Sequence, residues 1–208
     1  SPFDDALKYF DKYIVEVGLA PTPETFRWLY HSLLNDDRAT HTRKARGFDE
    51  LKQLLNKYRV AGMHSGTVSL YAALCVGVLG KPWREALELA EAEYTQRTGG
   101  VKLSQVELTA CFGLVMAQLV KERNATAVLE MWDEVERLKL TPTSDIFGAT
   151  LLMCTEKDPR RIRIQESLAA LSASQGPDPR LMSVMLNYEG KFGSADAAVR
   201  LFRTIVKR

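Results

Sequence analysis

The sequence predicts an all-α fold, an α-solenoid of antiparallel helical hairpins, from two observations. Apolar residues recur at three- and four-residue steps along most of the chain, which is the period of an amphipathic helix, and no run alternates as an exposed strand does. Pairs of such segments also repeat, and the last two steps of the repeat are both 35 residues long. With 208 residues, of which 46% are hydrophobic and 26% charged, the chain can bury a sizeable core.

Two kinds of helix alternate along the chain. The first kind is amphipathic: in "AVLEMWDEVERLKL" the residues Val128, Met131 and Val135 fall on one stripe. Further amphipathic segments are "ALKYFDKYIVEV", "FDELKQLLNKY", "REALELAEAEY" and "AAVRLFRTIV". The second kind is shorter and apolar on more sides, as in "TFRWLYHSLL", "VSLYAALCVGVL", "ELTACFGLVMAQL", "DIFGATLLMC" and "LMSVMLNY". The alternation predicts hairpins in which helices of the second kind are buried.

The hairpins divide the chain into one repeat array. We expect a leading helix in residues 1–22 and repeats at 23–66, 67–108, 109–143, 144–178 and 179–208, the last incomplete. The two longer repeats have polar insertions at "NDDRATHTRKARG" and "TGGVKLSQ". Pro142 and Pro177 mark successive joints, because proline stops a helix from continuing. Since one hairpin cannot bury its apolar face alone, neighbours cover one another, and both ends of the array look cut.

Charge, cysteine content and hydropathy narrow the class of protein. The formal net charge of +2 gives no strong overall field, so only local clusters favour a polyanionic partner. Cys75, Cys111 and Cys154 lie far apart in apolar runs, which predicts buried, reduced thiols in a reducing compartment. The longest apolar stretch, residues 70–79, is about half of the roughly 20 residues that span a bilayer, so we expect no membrane segment.

The 35-residue hairpin resembles the pentatricopeptide repeat rather than the 34-residue tetratricopeptide repeat. In "MLNYEGKFGSADAAVRLFRTIVKR" the family's Lys-x-Gly and Ala-x-x-Leu-Phe pattern is matched by Lys191, Gly193, Ala198, Leu201 and Phe202. A second match, in residues 109–143, consists of Lys121, Val128, Met131, Trp132, Val135, Leu140 and Pro142. The resemblance covers most of the chain, strongly for 109–208 and weakly for 1–108.

The resemblance implies a right-handed solenoid that binds single-stranded RNA in the mitochondrial matrix, with other proteins of an organellar ribonucleoprotein as partners. In that family the base is chosen at places that here carry Arg27, Tyr71, Gly113, Gly148 and Ser183, paired at repeat ends with Val101, Thr143 and Asp178. In that family the residue in the first helix is usually Asn, Ser or Thr, and of these five residues only Ser183 is of that type. Gly113 and Gly148 have no side chain that could form a hydrogen bond with the edge of a base. The array is therefore degenerate, and we predict binding of low specificity and no target sequence.

Two basic clusters complete the candidate RNA site. The main cluster is Lys157, Arg160, Arg161 and Arg163, and the secondary cluster, in the long polar connection, is Arg38, Arg43, Lys44 and Arg46. Clustered guanidinium groups suit phosphates because each makes two parallel hydrogen bonds. Lys121 and Lys191 stand where the family often has a phosphate-contacting lysine. The alternatives are a solvated turn for the clusters and a helix-terminal lysine for the other two.

The aromatic and histidine residues give weaker evidence about function than the basic clusters do. The rings that could stack on bases are those of Trp28, Trp83, Trp132, Tyr71 and Phe147. Arg27 and Tyr71, at base-facing places, are the better candidates, whereas Trp132 lies on an amphipathic stripe and is expected in the core. His31, His41 and His64 have no metal-ligand spacing, so we predict no metal and no cofactor. The chain also lacks the familiar catalytic motifs, so we do not expect an enzyme.

Three functions remain open on the sequence alone. The first is an RNA-associated repeat protein that binds single-stranded RNA, assembles a ribonucleoprotein, or does both. The alternative is a protein scaffold that holds a partner polypeptide on its concave surface. An unrelated hairpin array of the tetratricopeptide type would bind peptides in its groove, although the 35-residue step argues against it.

Overall fold

The computed structural model describes residues 1–60, 62–175 and 179–206. Within these ranges the chain is helical, with no strand, so the predicted all-α class is confirmed. The helices are α1 (Pro2–Phe10), which continues into a π-helical segment (Asp11–Glu16), α2 (Pro23–Leu34), α3 (His41–Lys57), α4 (Ser65–Gly77), α5 (Trp83–Arg97), α6 (Gln105–Lys121), α7 (Ala125–Arg137), α8 (Ser144–Met153), α9 (Arg160–Gln175), α10 (Pro179–Phe192) and α11 (Ala195–Val206).

The helices form two compact units, Ser1–Gln118 and Leu119–Arg208. In the first unit α2 packs against α1, α3 and α4, and α4 packs against α5. In the second unit α7 packs against α8, α8 against α10, and α10 against α11. The sequence neighbours that pack on one another are therefore α1–α2, α2–α3, α4–α5, α7–α8 and α10–α11, and the contacts α2–α4 and α8–α10 join helices that are two apart in the chain.

Helix starts follow the local sequence. Thr22 caps α2 and exchanges hydrogen bonds with Thr25, and Pro23 fills the first helical position, where a missing N–H is harmless. Thr143 caps α8 by accepting the N–H of Ile146, so the joint predicted after Pro142 is confirmed. The second predicted joint, at Pro177, lies outside the described residues.

One predicted boundary is wrong. The sequence "THTRKARG" was expected within a polar connection, but α3 begins at His41, so the connection is only residues 35–40. Thr40 caps this helix early by accepting the N–H of Arg43 at 3.2 Å. Three of the four cations of the secondary cluster therefore lie on a helix, at Arg43, Lys44 and Arg46.

The core of the first unit is aromatic. Phe48 lies 5.0 Å from Tyr71 and 6.1 Å from Tyr30, measured between ring centroids, and all three are buried. The thiols of Cys75 and Cys111 are also buried, as predicted, and burial raises the pKa of each to about 12. The segment "VSLYAALCVGVL" is apolar on most of its sides because α4 packs against α2 on one side and against α5 on another.

The core of the second unit centres on Trp132. Its side chain is fully buried, and its ring lies 5.4 Å from that of Phe147 on α8. The residues predicted to share its stripe, Val128, Met131 and Val135, are buried as well. The predicted core role of Trp132 is therefore confirmed.

Candidate functional site

The secondary basic cluster works largely as an intramolecular clamp. Arg43 donates to Asp4 at 2.7 Å and to Glu50 at 3.2 Å, and its guanidinium lies 5.0 Å from the ring of Phe3. These contacts hold the start of α1 against α3. Lys44 donates to the carbonyl oxygen of Leu34 at 3.2 Å, which complements the C-terminus of α2.

Asp36 joins the connection between α2 and α3 to the start of α1. Its buried carboxylate accepts the backbone N–H groups of Arg38 and Ala39 at 3.1 Å each, and that of Phe3 at 3.1 Å. The turn residue thus caps α1 from outside that helix. Of the secondary cluster, Arg38 and Arg46 are the exposed members.

Arg27 lies beside an exposed aromatic ring. It donates through Nε to Glu24 at 2.8 Å, and its guanidinium lies 4.6 Å from the ring of Trp28. The ring of Trp28 is 56% exposed, and that of His31 meets it edge-on at 6.1 Å. Glu24 also accepts from Nε2 of His64 at 3.1 Å. The outward side of α2 therefore carries a flat ring supported by a cation.

Tyr71, the other stacking candidate, faces the protein. Its side chain is 4% exposed and packs on Phe48 and Tyr30, and burial raises its pKa. A base could reach this ring only by displacing one of those neighbours.

Arg160, Arg161 and Arg163 of the main basic cluster lie at the start of α9, and Arg160 and Arg163 contact acidic residues of α7. Arg160 contacts Asp133 through Nε at 3.0 Å and Nη2 at 2.7 Å, and it also contacts Asp158 at 3.3 Å. Arg163 donates to Asp133 at 2.9 Å and to Glu136 at 3.3 Å. Two of the four predicted cations are thus paired within the unit.

The electrostatics of this contact follow from its geometry. The hydrogen bonds from Arg160 hold the pKa of Asp133 below its usual range, so this carboxyl stays ionised. Burial raises the pKa of Glu136 although Arg163 lies beside it. The other two cations differ: Lys157 is exposed, and the guanidinium of half-buried Arg161 lies 6.0 Å from the ring of Phe192.

The lysines and the serine predicted from the resemblance have different surroundings. Lys191 donates from Nζ to the carbonyl oxygens of Leu151 at 2.6 Å, Cys154 at 2.8 Å and Leu152 at 3.2 Å. It therefore binds the C-terminal end of α8. Lys121, at the last position of α6, and Ser183 on α10 are exposed.

An open apolar groove lies between α8 and α10. It has a volume of about 540 Å³, and the side chains that line it are Leu151, Leu152, Val184, Leu186, Asn187 and Lys191. Gly148 and Gly190 complete the lining, and a Cβ atom added to either glycine would meet nothing within 4 Å. The place where the family resemblance expects a base-reading side chain, at Gly148, is therefore empty space bounded by leucines.

Two features of these surfaces were missed in the sequence. The periodicity of "AVLEMWDEVERLKL" places Asp133 and Glu136 off the apolar stripe, and it does not identify them as partners of the arginines. Trp28 is one of the rings predicted to be able to stack on bases, but the sequence does not single it out as exposed, although the buried stripe Phe26, Leu29 and Leu33 leaves residue 28 on the opposite side of α2.

In the described part of the chain, no three His, Cys, Asp or Glu side chains are grouped so that they could hold a metal ion. No helix in that part has the length and apolar character needed to cross a bilayer. Among families of proteins, no model matches this chain, and no curated protein is similar to it in sequence.

Proposed function

We propose that the chain is a non-catalytic, RNA-associated helical-repeat protein of the pentatricopeptide type, a degenerate right-handed array that binds single-stranded RNA with low specificity. Its setting is an organellar ribonucleoprotein of the mitochondrial matrix. The observation that carries the proposal is the exposed ring of Trp28, backed by the guanidinium of Arg27 at 4.6 Å. Any base can stack on such a ring, because every base has a π-face.

The charges support weak and salt-sensitive binding. The exposed cations Arg38, Arg46, Lys121 and Lys157 are available to phosphates, whereas Arg43, Arg160 and Arg163 contact carboxylates. Affinity for single strands falls with salt in proportion to the number of phosphates neutralised. Because these four predicted cations remain available to phosphates, we expect the affinity to fall as the salt concentration rises.

A binding experiment with Trp28 variants tests this proposal. Fluorescein-labelled oligo(U) and oligo(A) are titrated with protein at two salt concentrations, and anisotropy is measured. Stacking contributes about 1–3 kcal/mol per base, so Trp28→Ala should raise the Kd about 5- to 150-fold. Trp28→Phe keeps a ring and should retain most of the affinity. Equal affinity of Trp28→Ala and the unchanged protein, at both salt concentrations, would refute the assignment.

The second candidate is a scaffold that holds a partner polypeptide. The pairing of Arg160 and Arg163 with Asp133 favours it, because these side chains stabilise the fold and are withdrawn from phosphates. Purification from cells after nuclease treatment discriminates the two. Stable protein partners that survive nuclease favour the scaffold, and loss of every partner together with the RNA contradicts it.

A further inference from the structure

We infer that the groove between α8 and α10 is a docking site for an acidic amphipathic helix of a partner protein. This inference names the surface and the partner chemistry for the scaffold candidate, and it does not depend on RNA binding through Trp28. The groove lies wholly within the second unit.

The lining of the groove favours a ligand with apolar side chains. Its lining is dominated by leucine and valine, and Leu152 is 65% exposed at its edge. Gly148 and Gly190 leave open the space that side chains would otherwise fill. Covering such a surface with apolar groups removes it from water, and this gives an amphipathic ligand its driving force.

The length and direction of the walls suit a helix. The ends of α8 and α10 match: Lys191 binds the last carbonyls of α8, while Ser144 and Leu181 at the two N-termini line one pocket. The two helices therefore run the same way. The ten residues of α8 span about 15 Å, which accommodates two to three turns of a docked helix with anchors at positions i, i+3, i+4 and i+7.

The charges at one end select an acidic partner. Lys191 stands at the C-terminal end of the groove, and Arg161 lies beside Phe192, the next residue of α10. The carboxylate of Asp158, on the connection that leads to α9, is already paired with Arg160. A partner carboxylate at this end would thus meet cations, whereas a basic helix would be repelled.

The same lining disfavours RNA in this groove. A phosphate chain would have to cross the leucine and valine side chains that line the groove. Apolar anchors with a flanking carboxylate fit the lining better than a uniformly charged strand does.

Peptide titration tests the inference. The probes are fluorescein-labelled helical peptides of about 14 residues, with leucine at the anchor positions and either glutamate or lysine elsewhere. The glutamate peptide should bind saturably and at least about tenfold more tightly than the lysine peptide. Gly148→Leu and Gly190→Leu each place a side chain in the groove, starting from a Cβ atom that would meet nothing within 4 Å, and each should weaken binding at least about tenfold.

Control variants make the test specific. Ala170→Leu adds an exposed leucine on α9 outside the groove and should bind the glutamate peptide as the unchanged protein does. Leu152→Glu, at an exposed position, should also lose binding, and circular dichroism verifies that each variant is folded. Filled variants that bind the peptide normally would overturn the inference, as would equal binding of both peptides.

Two further outcomes would also overturn it. If the filled variants lose oligo(U) binding and keep peptide binding, the groove is an RNA site. If the protein self-associates in sedimentation and only the filled variants are monomeric, the occupant is a second copy of the chain. Failure of the Trp28 experiment alone leaves this inference standing, since the two sites are tested by different variants and probes.

Discussion

Arg160, in the first turn of α9, is joined to Asp133 on α7 through two points of its guanidinium group. Nε lies 3.0 Å from Oδ1 and Nη2 lies 2.7 Å from Oδ2. The planar guanidinium matches the carboxylate, so the pair is of the stronger, bidentate kind. A segment that looks cationic in sequence is thereby partly neutralised, and it fixes α9 to α7.

Removing the charge of Asp133 should expose this cluster. In Asp133→Asn the arginines lose their carboxylate, and we expect the free energy of unfolding to fall by about 1 kcal/mol, because the pair is partly exposed to water. Oligo(U) affinity should rise, with a steeper salt dependence. Asp145→Asn is the control, since it removes the same charge from an exposed position on α8. Equal effects of the two variants on RNA affinity would show that only net charge matters.

The Arg160–Asp133 contact also shows where sequence reasoning stops. Helix positions, the burial of Trp132 and the burial of the three cysteines could be predicted, because they depend on periodicity within one segment. Asp133 and Arg160 lie 27 residues apart, and their contact depends on how α9 packs against α7. No local pattern contains that information.

The same limit applies to Tyr71 and Trp28. The resemblance assigns Tyr71 to a base-facing place, whereas the structure covers it with Tyr30 and Phe48. Trp28 lies in a segment that reads as buried on most sides, yet it faces outward. Which side of an apolar helix remains open is decided by the neighbouring helices, and the sequence of the helix alone does not specify them.

Two helical glycines should respond oppositely to alanine. A Cβ at Gly47 would lie 2.6 Å from a ring carbon of Phe3 and 2.9 Å from a methyl carbon of Leu33, and both side chains are fully buried. Gly47→Ala should therefore destabilise the protein by about 1–3 kcal/mol through overpacking. Gly148→Ala meets open space and should stabilise it by about 0.4–1 kcal/mol. Urea denaturation measures both, and an unchanged or raised free energy of unfolding for Gly47→Ala would contradict the packing at Gly47.

Trp132 should be the most sensitive position of the second unit. Its side chain is fully buried against Phe147, so Trp132→Ala should lower the free energy of unfolding by about 3–5 kcal/mol. Trp132→Phe keeps part of the ring contact and should lose less. The same measurement on Trp28→Ala is the matched control, because that ring is more than half exposed and its removal should have a small effect. Similar losses for Trp132→Ala and Trp28→Ala would contradict the assignment of core and surface.

The clamp between α1 and α3 should make part of the stability dependent on pH. The hydrogen bond from the Ser1 hydroxyl, together with Arg43, lowers the pKa of Asp4 from 3.8 to about 2. A carboxyl whose pKa is lower in the folded state contributes stability that is complete above its unfolded pKa and is lost as the pH falls through the folded value. The contribution of Asp4 should therefore disappear between pH 3.8 and about 2.

Asp4→Asn tests this dependence, because it removes the ionisable group and leaves a side chain of similar shape. Its unfolding free energy, measured by urea denaturation from neutral pH down to acid, should change less steeply over that interval than that of the unchanged protein. Asp5→Asn is the control, since that carboxylate contacts the exposed Lys8 and lies outside the clamp. Because Arg43 donates to Asp4 at 2.7 Å and also to Glu50, the variant keeps one half of the clamp and should remain folded. An acid profile of Asp4→Asn identical to that of Asp5→Asn would mean that the Asp4–Arg43 contact contributes nothing to stability in solution.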